Sequence, residues 1–74
     1  MDHTRIKYVK TIYEPGTTVI CNKMHDPYHP VPSGTKGVVT NVDDIGTIHA
    51  KWSNGQSLGL IPGVDDFEID RIKL

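Results

Sequence analysis

A single cysteine, Cys21, leaves no partner for an intrachain disulfide, so the fold rests on its core and a reducing compartment is the natural setting. Long hydrophobic runs are missing too, and nothing approaches the roughly 18 apolar residues a membrane span requires. The start, Met1-Asp2-His3-Thr4-Arg5, lacks the apolar segment of a signal peptide, which makes the cytoplasm the expected location, with no membrane partner. Charge of one sign is scarce: the net value is -1, which by itself gives nucleic acid no reason to approach. Aromatic residues make up 7% of the chain and form no run interleaved with the lysines, which speaks against a stacking platform for bases. Nor is there a Gly-rich phosphate loop, a nucleophile elbow, or a Cys/His dyad with an orienting third residue. The expectation is a protein that is not an enzyme.

What is present describes one small soluble domain. With 36% hydrophobic and 23% charged residues and a mean hydropathy of -0.35, the chain belongs with globular proteins. Its 74 residues allow one core and no second. Domains of this size often have no more than roughly 3 to 5 kcal/mol of stability unless something staples them, so a homo-oligomer stays open. Residues 1–36 hold five Lys/Arg against three Asp/Glu, and residues 37–74 hold three against six. A folded domain mixes these halves, and an ordinary solvated surface is the simpler reading.

Along the chain, residues 1–13 form an N-terminal extension that fits either a short helix or an extra strand. Ile6, Val9 and Tyr13 fall at helical spacing, Asp2 and Thr4 are N-cap candidates, and Glu14-Pro15-Gly16 is a stop signal, which favours the helix. Residues 14–74 then read as a string of short strands. Thr17–Lys23 is rich in β-branched residues. Met24–Gly34 holds three prolines and a glycine and reads as a long stiff loop. Lys36–Val42 is the next strand, Asp43-Asp44-Ile45-Gly46 a tight turn, and Thr47–Trp52 alternates cleanly with Ile48, Ala50 and Trp52 inward. Asn54-Gly55 predicts a type I′ hairpin, which pairs Gln56–Leu60 back onto the Trp52 strand. A turn at Ile61–Asp65 precedes a last strand from Phe67 to about Ile72. The sum is an all-β fold, a five-stranded SH3-like barrel whose closure removes edges. Its predicted core is Val19, Cys21, Val38, Ile48, Ala50, Trp52, Leu58, Leu60, Phe67 and Ile69.

Several of these pieces, in this order, carry a resemblance: Pro15-Gly16-Thr17, Asp26-Pro27-Tyr28, Pro32-Ser33-Gly34-Thr35-Lys36-Gly37, Val42 to His49, Trp52-Ser53-Asn54-Gly55, and Leu58 to Asp65. Over about residues 14–70 the chain resembles the small bacterial and phage family catalogued as domain of unknown function 4314. That resemblance implies an SH3-like fold and a source in a Gram-positive bacterium, its phage or a mobile element, and implies no known activity.

Three constellations invite a functional reading. Cys21, His25 and His29 are spaced C-x3-H-x3-H and, joined by Asp26, would make a zinc set. The spacing is not that of a standard finger, and Cys21 falls on an inward face where free cysteine acts as a small hydrophobe, so no metal or cofactor is expected. The acidic pairs Asp43-Asp44 and Asp65-Asp66 sit in turns, where hydrogen bonds that close the turn are their ordinary role. The third candidate is a groove between the long loop and the Pro62 turn, lined by Tyr28, Pro30, Pro32, Trp52 and Pro62. Such a surface suits an extended peptide and makes a protein the expected partner. Nucleic acid is the alternative partner, bound through Arg5, Lys7, Lys10, Lys23 and Lys36 in the first half.

Overall fold

The computed structural model describes residues 2–70, beginning with a capped helix. The Asp2 carboxylate accepts the Arg5 backbone N–H at 2.9 Å, and α1 runs from His3–Ile12 with Lys10 in the last turn, where a cation suits the helix dipole. Ile6 is buried, and Val9 and Tyr13 pack against the core. The Tyr13 ring meets Phe67 edge on, with centroids 5.6 Å apart. Of the two readings open for residues 1–13, the helix is the one formed.

Five strands follow: β1 (Thr18–Lys23), β2 (Lys36–Val42), β3 (Ile48–Trp52), β4 (Gly59–Leu60) and β5 (Asp66–Ile69). They make one antiparallel sheet in the order β4-β3-β2-β1-β5. The all-β class and the sequence of elements are as expected, but the expected closed barrel is not formed: β4 and β5 are open edges. The reason lies between them. Ile61 gives its N–H to the Asp65 carboxylate at 2.8 Å, and Pro62 has none to give, so the chain turns instead of continuing a ladder. The last strand ends at Ile69, and Ile72, the expected end, lies outside the described residues.

The inner face of the sheet departs by one residue from the expected alternation in β2. Val39 is buried, whereas Val38, expected in the core, is 46% exposed. Trp52 sets this register. Gly37 lies opposite Trp52 in the ladder, and a Cβ on Gly37 would sit 2.6 Å from the indole Cε3, so glycine occupies the inward position beneath the ring. An extra residue at Thr40 then bulges the strand, which lets Val42 as well as Val39 turn toward the core. The core comprises Val19, Cys21, Met24, Val31, Val39, Ile48, Ala50, Trp52 and Leu60, with Leu58 and Phe67 only partly buried beside it. Ile69 is likewise half-buried, an outcome of lying on an edge strand.

The two hairpins share one turn that differs from the type I′ expected at Asn54-Gly55. Gly55 has φ 93°, but among the described residues none other than glycine has positive φ, so Asn54 cannot supply the first half of such a turn. Instead Gly55 N–H reaches Trp52 C=O at 2.9 Å and Trp52 N–H reaches Gln56 C=O at 2.9 Å, a three-residue loop ending in a glycine bulge. Asp43 to Thr47 repeats it, with Gly46 N–H on Asp43 C=O at 3.1 Å. The expected strand from Gln56 shortens to Gly59–Leu60, and the Trp52 indole N–H takes the Leu58 carbonyl at 2.9 Å.

This packing predicts that Gly37→Ala costs about 1–3 kcal/mol, because the added methyl meets a buried, hydrogen-bonded ring. Urea unfolding followed by Trp52 fluorescence is the check. A midpoint equal to that of the parent protein would mean that the ring does not lie on Gly37.

Candidate functional site

The long loop between β1 and β2 is pinned from within. Asp26 Oδ1 accepts the backbone N–H groups of Tyr28 at 2.8 Å and His29 at 3.2 Å, an Asx-type turn that fixes the start of the loop. Val31 is 2% exposed, with its N–H on Met24 Sδ at 3.4 Å and its carbonyl accepting the Cys21 thiol at 3.5 Å. Gln56 Nε2 donates to the His29 carbonyl at 2.9 Å, tying the loop to the β3–β4 hairpin. Sequence periodicity missed Met24 and Val31 as core residues, because both lie among prolines in a segment with no period.

One carboxylate joins this loop to the turn before β5. Asp65 Oδ1 accepts the His25 N–H at 2.8 Å and Oδ2 the Ile61 N–H at 2.8 Å. The turn also closes on itself through Val64 N–H and Asp65 N–H, both to the Ile61 carbonyl. One member of each acidic pair closes a turn, Asp43 and Asp65, whereas Asp44 faces Lys10 and Asp66 accepts from the Asn22 side chain; Asp65 extends its role across 40 residues of sequence. At the opposite hairpin Asp43 does similar work: Oδ1 accepts Thr47 N–H at 2.9 Å and Ile45 N–H at 3.1 Å, while Oδ2 lies 2.8 Å from His49 Nε2.

Between loop and turn runs an open groove of about 320 Å³. Tyr28 and Pro27 form one wall, Ile61, Val64 and Asp65 the other, and Met24, Leu58 and Gly59 lie between them. A second depression of about 390 Å³ lies on the far side of the same turn and is lined by Arg5, Ile45, Ile61, Pro62 and Gly63. Ile61 belongs to both. Tyr28 is 83% exposed, Ile45 76%, Val64 52% and Ile61 49%, so this turn carries apolar surface on both flanks.

The residues expected to form one groove are therefore divided. Tyr28 lines the first groove. Pro62 belongs to the second depression, and Pro30 and Pro32 are exposed but line neither. Trp52 is 3% exposed and committed to the core, since its alternation with Ile48 and Ala50 turns it inward and Leu58 satisfies its N–H. Ile45, Ile61 and Val64 were not anticipated: apolar residues within turns have no periodic signal, although three in two short turns is itself an anomaly of composition.

The other constellations resolve in chemical terms. Cys21 is fully buried and its thiol is pushed up by burial, with Asp65 and Asp66 adding to the effect. His25 and His29 are exposed in the loop, and among the described residues no three His, Cys, Asp or Glu side chains come together as metal ligands. Of the five cations in the first half, Lys10 lies 3.1 Å from Asp44 and Lys36 3.0 Å from Asp70. No helix among the described residues is long and apolar enough to cross a membrane.

Comparison with known proteins adds one finding. A family model described as "Domain of unknown function (DUF4314)" matches residues 2–70. No curated protein and no solved structure matches.

The pinned turns make stability depend on acid. The Tyr28 N–H, then the His29 N–H, hold the Asp26 carboxyl below the ordinary aspartate value of about 3.9; His49, foremost, does the same for Asp43. A depressed folded-state value contributes stability that is present above the unfolded-state value and lost as pH falls through the folded one. Urea stability should therefore drop below about pH 4, and the drop should be shallower in Asp26→Asn/Asp43→Asn. Parallel curves for the two proteins would show that these bonds do not form in solution.

Proposed function

The chain belongs to this DUF4314 family, and we propose that within it the protein is a non-enzymatic protein-interaction module that docks a partner on the face formed by the loop and the Pro62 turn. The observation that carries this reading is the distribution of exposed apolar side chains. Of the six large hydrophobic residues exposed among the described residues, Tyr28, Ile45, Ile61 and Val64 gather around one turn. Side chains of this kind cost free energy when left in water, and their clustering on a small monomer marks a surface that another protein covers. The face is also held in shape beforehand by Asp26, Asp65 and Gln56, which lowers the ordering cost of association.

A protein is favoured over nucleic acid as the partner. Among the described residues the first groove is lined by Asp26 and Asp65 and by no lysine or arginine, and a phosphate backbone would be repelled there. Lys10 and Lys36, two of the cations a nucleic-acid surface would use, already face carboxylates. In the setting the family resemblance implies, a bacterium, its phage or a mobile element, such a module is a cytoplasmic accessory protein, and blocking a host defence protein is one form that docking would take.

Site-specific photocrosslinking distinguishes these readings. A photoreactive phenylalanine analogue at position 28 should join a defined protein from host cells, and the same analogue at position 8, on the exposed face of α1, should not. Recovery of nucleic acid alone, or equal crosslinking from both positions, would remove the proposal.

A further inference from the structure

The groove beside Tyr28 has a composition that restricts what can cover it, given the protein-interaction reading above. Its lining is apolar at Met24, Leu58, Ile61 and Val64, yet two aspartates, Asp26 and Asp65, line it as well. Among the described residues Asp26 accepts both of its hydrogen bonds on Oδ1, which leaves Oδ2 for a ligand. Asp65 takes one N–H on each oxygen and so keeps a lone pair on both. Among the described residues the groove's only other titratable side chains are His25 and Tyr28, and neither Lys nor Arg lines it.

Any partner that fills the groove takes these carboxylates out of water. An apolar segment would leave them without compensation, which is costly, and an acidic segment would add repulsion. A cation brought by the partner offsets the loss. Tyr28 offers it a second contact, since its backbone is anchored on Asp26 and its exposed aromatic side chain lines the groove, where a ring can receive a cation. The volume, about 320 Å³, is at the lower end for ligand pockets and suits one long side chain with an apolar neighbour.

We infer that the groove receives an arginine or lysine of an extended partner segment, with its stem along Ile61 and Val64, its cation between Asp26 and Asp65, and Tyr28 over it. The selectivity this gives is for basic, apolar sequence. Arginine suits the site better than lysine, because its planar fork stacks on a ring while hydrogen-bonding two carboxylates.

The test uses the full chain, labelled for amide NMR, and two synthetic decapeptides identical except that one carries arginine where the other carries glutamate. The arginine peptide should shift the amides of His25, Tyr28, Gly59 and Val64 and weaken with added salt. Asp26→Asn should reduce its affinity about fivefold, the scale of one partly exposed charge pair. Tyr28→Leu, which leaves the Asp26 bonds in place, should also weaken it, guarding against a loop that has merely loosened. Equal binding of the glutamate peptide or of single-stranded DNA at these amides, or shifts confined to another face, would overturn the inference. Were position 28 still to crosslink a protein in that case, the docking face would stand and only its charge selectivity would fall.

Discussion

The Asp65 carboxylate is the contact on which the candidate face depends. Beyond the last rung of the β1–β5 ladder, Lys23 opposite Asp66, it ties the start of the long loop at His25 to the start of the last turn at Ile61. Two backbone donors at the open end of a small sheet find a charged acceptor, a stronger arrangement than neutral hydrogen bonds would give. Tyr28 follows His25 by three residues and Val64 precedes Asp65 by one, so the clamp fixes the distance between the two walls of the groove. The same contact ends the β4 ladder and accounts for an open sheet where a closed barrel was expected.

A second constraint, internal to the core, gives the sheet its register. Trp52 occupies the inward end of β3 and needs a neighbour without a side chain, which Gly37 provides. From this pair follow the burial of Val39, the exposure of Val38 and the bulge at Thr40. Structure and function are linked here, because the Trp52 indole holds the Leu58 carbonyl and Leu58 lies in the groove floor.

Much of this was legible in the sequence. Ile48, Ala50 and Trp52 alternate without ambiguity and are all buried; Asp2 reads as an N-cap and is one; the glycines at 46 and 55 mark hairpins that form. What was not legible depends on contacts across strands. Lys36 to Val42 offers two valines side by side, and only the ring of Trp52 decides which faces inward. Asn54-Gly55 announces a turn, but the turn type is set by the backbone twist and closing bonds of its hairpin. At the candidate site, Tyr28 stood out in the sequence because an aromatic among prolines in a loop is conspicuous. Ile61 and Val64 were overlooked because isolated apolar residues in a turn resemble ordinary spacing, and only the fold shows that they share a surface with Tyr28.

Amide hydrogen exchange on the free protein near neutral pH tests the Asp65 clamp directly. The His25 and Ile61 amides belong to exposed residues outside or at the limit of the strands, so nothing except the carboxylate would slow them. The account predicts that both are protected, and that Asp65→Ala releases both together while the β2 and β3 amides of the central sheet stay slow. Free exchange of either amide in the unaltered protein would contradict it, because the carboxylate would then not clamp the loop to the turn and the spacing of the groove's walls would not be fixed.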